Sequence, residues 1–332
     1  MLKLSENSKI VQKFKYVILV SLVILLVGIG FAVYRGCTNQ SILNFGIDFT
    51  GGAIIEISSD EAIDAQKIKD IIAREKFHIT GDVQQSVIDG TNVYEVRLAY
   101  RYDGKTPEDE VAFIESIYKE NYDFDLCAMI QNELGLEADA VKGYEVGKTA
   151  SDSLTTMAII ATIVALVVML IYIVIRFTFS SALAAVCTLL HDVIIMFALM
   201  SIFNIAINST FIAAVITIIG YSINATIVIF DRVRAEIKLG STKPDIEIAN
   251  ASVYKALNVN ILASVTTLIM VIFLVIFSVS SIGEFIFPII FGLAAGAYSA
   301  IFVAPALWVQ FRKIGAKIKT KKNYDGAQKQ KA

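Results

Sequence analysis

The chain has 332 residues, 56% hydrophobic and 18% charged, with 29 basic against 31 acidic side chains and a net charge of −2. A mean hydropathy of +0.65 excludes an ordinary water-soluble enzyme, and the balanced charge excludes a nucleic-acid binder held by a basic surface. The apolar residues gather into runs of about 20, the length that crosses a bilayer as a helix, and they do not alternate as barrel strands do.

In chain order, a basic tail over residues 1–15 with Lys3, Lys9, Lys13 and Lys15 precedes a first span at 16–34. That span is too long for a signal-peptide core and no small-residue cleavage site follows it, so it reads as a retained anchor. Residues 35–153 come next and are visibly acidic, roughly enough for one small domain. Five more spans follow at 154–175, 181–203, 208–230, 259–279 and 285–308, with a basic loop at 231–256 and a basic tail at 310–332. By the positive-inside rule both tails and that loop are expected in the cytoplasm, which six spans allow, and residues 35–153 outside.

Between the first two spans, Phe45, Gly46, Ile47, Asp48, Phe49, Thr50, Gly51 and Gly52 lead into a short strand at 53–57. The paired glycines suit a tight turn or a close backbone approach, and Asp48 and Thr50 suit capping of local amides. Ser58 and Glu61 read as a capping box opening a helix through about residue 76, with Ile63, Ile68, Ile71 and Ile72 on its buried side. A strand near 82–88, the turn Asp89-Gly90, an alternating strand at 93–100 and a helical region from Thr106, Pro107 and Asp109 follow, the last broken near 121–124. A strand at 139–146 closes the order β-α-β-β-α-β, the ferredoxin-like arrangement. The fold class is therefore a polytopic α-helical membrane protein, six transmembrane helices plus one extracytoplasmic α+β ferredoxin-like domain. His78 reads as a surface residue, and a docking or polypeptide-binding surface fits this domain better than an active site. Cys37 and Cys127 share the outer side, which leaves a disulfide open, and no metal-ligand spacing is present.

Within the third span stands Asp192, the only acidic side chain deep inside any apolar run, preceded by His191. A carboxylate there costs on the order of 2.5–3.5 kcal/mol on insertion scales, which points to ion handling, with an interhelical hydrogen bond as the plainer alternative. His191 reads as a relay or as a packing residue, with packing favoured. In the fourth span Gly220, Tyr221 and Asn224 fall on or near one face, expected to approach Asp192, while Ser222 and Thr226 share the adjoining one. Ser264, Thr266, Thr267 and Ser299 extend a polar seam or make ordinary interhelical bonds. Gly292, Gly296 and Ala300 form a small-residue face for close packing. No Walker motif is present.

The string from Gly46 to Gly52, placed just after a first span, resembles the signature of the SecF subunits of the bacterial Sec protein-export machinery, within the RND-type transporter superfamily. Further matching strings surround His191 and Asp192, run from Ile219 through Asn224 to Glu236, cover Ser264 to Leu268, and end with Gly296 to Pro305. Two positions depart from the pattern: Ala225 stands where the family usually has Asp, and Val259 where Arg is common. This leaves Asp192 without an acidic neighbour or basic partner at those places.

The resemblance implies a polypeptide-export subunit of the bacterial cytoplasmic membrane, coupled to a proton or sodium gradient, with no cofactor beyond the transported ion. It implies a SecD-like subunit, the SecY-E-G channel, unfolded polypeptide and membrane lipid as partners, and a twelve-span bundle of which six spans are half. Ion coupling falls to Asp192 and Asn224, with His191, Tyr221, Ser264 and Thr267 behind them. Asp231, Arg232 and Arg234 read as positive-inside anchoring, or as a contact with the translocase or an ion pathway. The competing readings are an RND-type exporter of small molecules or lipids, for which the single small outer domain is a poor match, and a structural assembly subunit. An intramembrane aspartyl protease needs two carboxylates sharing a proton, and only one is present.

Overall fold

The structure is a computed structural model that describes residues 9–38, 42–73, 77–79, 83–88, 91–100, 122–137, 139–146, 148–277 and 283–329. A 3-10 turn, Val11–Lys13, leads into helix α1, Phe14–Cys37. A single helical turn, α2 (Ile47–Thr50), precedes a small α+β domain: β1 (Gly52–Ser59), α3 (Ala65–Ala73), β2 (Phe77–Ile79), β3 (Gln84–Ile88), β4 (Thr91–Tyr100), α4 (Tyr122–Leu134) and β5 (Val141–Val146). Five long helices complete the chain: α5 (Lys148–Arg176), α6 (Phe179–Phe203), α7 (Ser209–Lys238), α8 (Asp245–Phe277) and α9 (Gly283–Lys329). Among the described residues six helices are long and apolar enough to cross a membrane, α1 and α5 through α9.

The sheet is antiparallel, ordered β2-β4-β1-β5, with β3 also pairing with β4. β1 is central, with Ala53 opposite Leu98 on one side and Gly52 opposite Val146 on the other. β2 and β3 occupy successive stretches of the same β4 edge, so together they stand for the second strand of the ferredoxin-like order. Alternation sets the faces: Ile55 and Ile57 of β1 and Tyr94, Val96 and Leu98 of β4 point inward, while Glu95 and Arg97 pair outward at 3.0 Å. Against the inner face lie Ile68, Ile71 and Ile72 of α3, spaced for one helix face, with Leu126 and Ile130 of α4.

Two expectations for this domain change. Ser58 and Ser59 stay in β1, paired with Val93 and Asn92, because the ladder outruns the capping signal. The helix is capped instead by Asp64, whose Oδ1 accepts from Gln66 N at 2.9 Å, and it is described as far as Ala73. α4 is continuous from Tyr122, so 122–124 are helical rather than a break. The Asp89-Gly90 turn, the helix start at Thr106, Pro107 and Asp109, and the side chain of His78 lie outside the described residues. Cys37 and Cys127 are not joined by a disulfide.

In the helical part, about half of each apolar window of α6, α7 and α9 is buried (50, 50 and 56%), against 11, 6 and 11% for α1, α5 and α8. The first three therefore form the centre and the others its outer wall. Small residues set the spacing. A side chain at Gly28 of α1 would meet Ala198 of α6 at 2.8 Å, and one at Gly292 of α9 would meet Ile218 of α7 at 2.5 Å. Far from the sheet the expected loop at 231–256 shrinks, since α7 runs to Lys238 and α8 starts at Asp245. Gly240, at φ 72°, makes the left-handed stop after α7. Lys255 pairs with Glu236, and Arg312 reaches Asp245 in the first turn of α8 at 3.3 Å.

Replacing Gly292 by Ala is expected to cost about 1–3 kcal/mol through overpacking against Ile218. Gly30→Ala, where nothing lies within 4 Å, should cost far less. Thermal unfolding of the two variants in detergent measures the difference.

Candidate functional site

Asp192, on α6, is 1% exposed. Its Oδ2 accepts from Ser222 Oγ of α7 at 2.5 Å and from Ser299 Oγ of α9 at 2.9 Å, and its Oδ1 lies 3.0 Å from Nδ1 of His191. His191 Nε2 in turn lies 2.9 Å from Ser21 Oγ of α1 and 3.4 Å from the Tyr298 hydroxyl of α9. Ser21 and Tyr298 are 3.1 Å apart, and the Tyr298 ring meets the imidazole edge-on. Successive helix residues point about 100° apart, so His191 faces α1 while its Nδ1 turns back to the carboxylate. Four helices thus meet on one buried acid. A buried carboxylate is tolerable only when its polar atoms are met, and here two hydroxyl donors and a ring nitrogen meet them.

The arrangement is sealed at both ends. Toward the N-terminal residues, Ala225 and Ala300 pack with Ile10, Ile229, Val253 and Ala256. Val11 N donates to Asn250 Oδ1 at 2.9 Å, which fixes that corner on α8. Toward the sheet, Met196, Val215, Ile218 and Leu293 are buried in the main apolar core. Gly296 lets α9 approach α7, since a Cβ there would lie 3.1 Å from Ser222 Cβ.

Several expected members stand elsewhere. Asn224 is exposed and not at Asp192, because it follows Ser222 by two residues and so points about 200° away. Tyr221 bonds Ser264 Oγ at 2.6 Å, and Thr266 and Thr267 bond back to Ala263 O within α8. Among the described residues no heavy atom outside its own helix backbone lies within 4 Å of a Cβ placed at Gly220. The α7 face carrying Gly220 and Asn224 is therefore open. Of the two departures, Ala225 is buried and its carbonyl accepts from Asn260 Nδ2 at 3.1 Å, whereas Val259 is 51% exposed. Asp231 and Arg232 are exposed, while Arg234 Nη1 donates to Arg176 O at 3.3 Å, the carbonyl end of α5.

Sequence reasoning missed Ser21 and Tyr298 beside His191, and it missed Arg35 at the sheet end of α1. Arg35 is 7% exposed, its Nη2 donates to Ser201 O at 2.5 Å near the C-terminus of α6, and its buried Nη1 has no hydrogen-bond partner among the described residues. A cation there is favoured by the helix dipole. A signal was available: Ser21, Gly28 and Arg35, the buried residues of α1, recur every seventh position on one face.

The glycine-rich segment forms the joint between sheet and bundle. Gly46 N donates to Ile207 O and Ile207 N to Asn44 O, both at 2.7 Å. Asp48 caps no local amide. Its Oδ2 accepts from Ser209 N at 2.8 Å and Ser209 Oγ at 2.5 Å, at the start of α7. Thr50 does bond locally, to Gly46 O, and Phe49 packs against the bundle core. Gly51 has φ 76° and Gly52 φ 154°, and a Cβ at Gly52 would lie 2.1 Å from Leu98 O of β4. Among the described residues no cluster of His, Cys, Asp or Glu is placed to hold a metal ion.

Comparison with known proteins follows the same division. Residues 128–314 match the family "Protein export membrane protein SecD/SecF, C-terminal", and residues 43–63 match the "SecD/SecF GG Motif". The chain is 32% identical over 314 residues to the protein translocase subunit SecF of Rhodothermus marinus, covering 93% of this chain and 94% of that one. It is 31% identical over 273 residues to the protein translocase subunit SecDF of Bacillus subtilis, covering 81% of this chain but 34% of the relative. A crystal structure of SecDF from Thermus thermophilus, described as a translocon-associated membrane protein, superposes with a TM-score of 0.66 at 25% identity, over 91% of this chain and 38% of that one. The chain therefore spans about a third of the fused SecDF relatives and nearly all of the SecF relative.

Ser222→Ala is expected to destabilise the protein by about 1–2 kcal/mol through loss of a donor to a buried acid. In an Asp192→Leu background the same change should cost much less. A double-mutant cycle on thermal stability reads the coupling, and a value near zero would remove Ser222 from the site.

Proposed function

The chain belongs to the SecD/SecF family of protein export membrane proteins, and on that premise we propose that it is an accessory subunit of the Sec translocase, using an ion gradient to promote polypeptide export. It is a transport subunit, and it calls for no bound cofactor beyond the ion that crosses. The observation that carries this reading is the sealed Asp192 carboxylate, bonded to His191, Ser222 and Ser299 at the centre of the bundle.

The coupling ion is the proton. What supports the proton is that one of the three groups on the carboxylate, His191 Nδ1, is a ring nitrogen that can give or take a proton, whereas a sodium ion takes a shell of oxygen ligands. With Asp192 ionised, Nδ1–H of His191 donates to Oδ1 and Nε2 accepts from Ser21 or Tyr298. With the proton on Asp192, the acid donates to Nδ1 and Nε2–H points to Ser21 Oγ, whose own hydroxyl has Val17 O at 3.1 Å to donate to. Ser299 has a second acceptor in Gly296 O at 3.3 Å, so one donor can leave Oδ2 when the charge disappears. The site thus has two hydrogen-bond patterns, one for each charge. One elementary charge moved across about 100 mV is worth about 2.3 kcal/mol, which biases a two-state equilibrium about 50-fold.

The lysine and arginine pattern supports cytoplasmic termini and an outer sheet domain, in the bacterial cytoplasmic membrane. A SecD-like chain would cover the open α7 face, where Gly220 has no neighbour among the described residues and Asn224 is exposed at span depth. Together they would act beside the SecY-E-G channel on the emerging polypeptide.

Asp192→Asn should abolish gradient-stimulated export while the protein remains inserted. The measurement is export of a secretory polypeptide by membrane vesicles, with the pH gradient, the potential and the sodium gradient collapsed one at a time. Stimulation that survives the substitution, or that follows sodium alone, would sink the reading.

A further inference from the structure

Asp48 is the outermost polar tie of α7, the helix that brings Ser222 to Asp192. Around it the contacts are dense and directional. Gly46 N and Ile207 N bond across at 2.7 Å, Ser209 gives Asp48 both its N–H and its hydroxyl, and Phe49 is seated on the bundle core. From the same short segment the chain passes through Gly51 and Gly52 directly into β1, the central strand, which is paired along both edges. A side chain at Gly52 would strike Leu98 O at 2.1 Å, so strand and turn fit without slack. The return connection is fixed at the same place, because Ser151 Oγ of α5 donates to Ile47 O at 3.2 Å.

Resting on the function proposed above, the geometry points to Asp48 as a positioning residue that makes residues 45–52 and the start of α7 one rigid strut, so that a shift of α7 at Ser222 is delivered to the sheet domain. Asp48 touches no ion. Its task is to hold the N-terminus of α7, where a carboxylate satisfies free backbone N–H groups and is favoured by the helix dipole. A flexible joint would absorb the displacement; a capped and doubly bonded one passes it on.

The test uses membrane vesicles carrying the full chain with its translocase, and reads the ratio of export with and without the gradient. Asp48→Ala is expected to lower the gradient-dependent rate about five-fold, while Asp48→Asn, which keeps the accepting oxygen, stays near wild type. A crosslink supplies the control for misfolding. A Cβ at Gly46 would lie 3.0 Å from Asn208 Cβ, close to the separation a disulfide spans after slight relaxation. With Cys37, Cys127 and Cys187 replaced by Ser, Gly46→Cys with Asn208→Cys is added to Asp48→Ala. Oxidation should restore gradient dependence, and reduction should remove it again. Full stimulation in Asp48→Ala, or loss of export on oxidising the pair with Asp48 intact, would overturn the strut. Asp192→Asn run in parallel separates the two failures: if it loses stimulation while Asp48→Ala keeps it, the strut alone falls, and if it keeps stimulation, the ion-coupling reading falls as well.

Discussion

Asp192 accepts from Ser222 at 2.5 Å and from Ser299 at 2.9 Å and lies 3.0 Å from Nδ1 of His191, in a region sealed by apolar side chains at both ends. An ionised carboxylate without such donors is penalised by several kcal/mol in a low-dielectric interior, so the helices must bring the donors to it. That demand fixes α6 against α7 and α9 directly, and against α1 through the His191 to Ser21 bond. Hydrophobic burial cannot impose it, because lipid is as apolar as the bundle and gives helices no reason to choose one rotation over another. The hydrogen bonds choose the rotation.

Close approach is what lets short hydroxyls do this. The hydroxyl oxygens of Ser222 and Ser299 stand only two bonds from their Cα atoms, so α7 and α9 must lie near α6 and near each other. Gly296 supplies the room beside Ser222, and Gly292 lets Ile218 sit against α9 one turn further out. Gly28 does the same for α1 at Ala198, with Ser201 Oγ donating to Gly28 O at 3.1 Å and Arg35 holding the end of α6. The small-residue positions and the polar site are therefore one arrangement: the glycines set the distance and the hydroxyls use it.

The number of spans, the ferredoxin-like order and the placing of Asp192 inside a span were legible because each rests on a local property: run length, alternation, or a charge in an apolar run. The partner of Asp192 was not. Counting spacings on α7 places Asn224 and Ser222 on different faces but does not say which face turns inward, and only packing against α6 and α9 decides for Ser222. His191, left between relay and packing, is drawn to Asp192 for a related reason. Adjacent helix positions diverge by about 100°, yet a long imidazole can fold back to its neighbour, and it gives Asp192 a nitrogen partner that residue 259 does not. Asp48 was read as a local cap since a sequence shows only neighbours, whereas its amide lies 161 positions away. Ser21, Gly28 and Arg35 show the opposite case, a seven-residue spacing visible in the chain whose meaning appears only once α6 lies beside it.

α7 is the element that touches both ends of this system. Ser222 and Ser209 are 13 residues apart, which along a helix is about 20 Å, and no proline interrupts the run between them. A helix of that length bends little under small forces, so a change in the bond from Ser222 to Asp192 is felt mainly as tilt or translation of the whole rod. At its outer end the rod meets Asp48 and Gly46, and through them β1. The alternative, a signal passed through the apolar layer around Ile218 and Leu293, would have to deform a close-packed core, which yields by switching rather than by bending. Rigid displacement of α7 is the mechanically simpler path from the carboxylate to the sheet, and it requires that the polar ties lie where they are found, at the two ends of one helix.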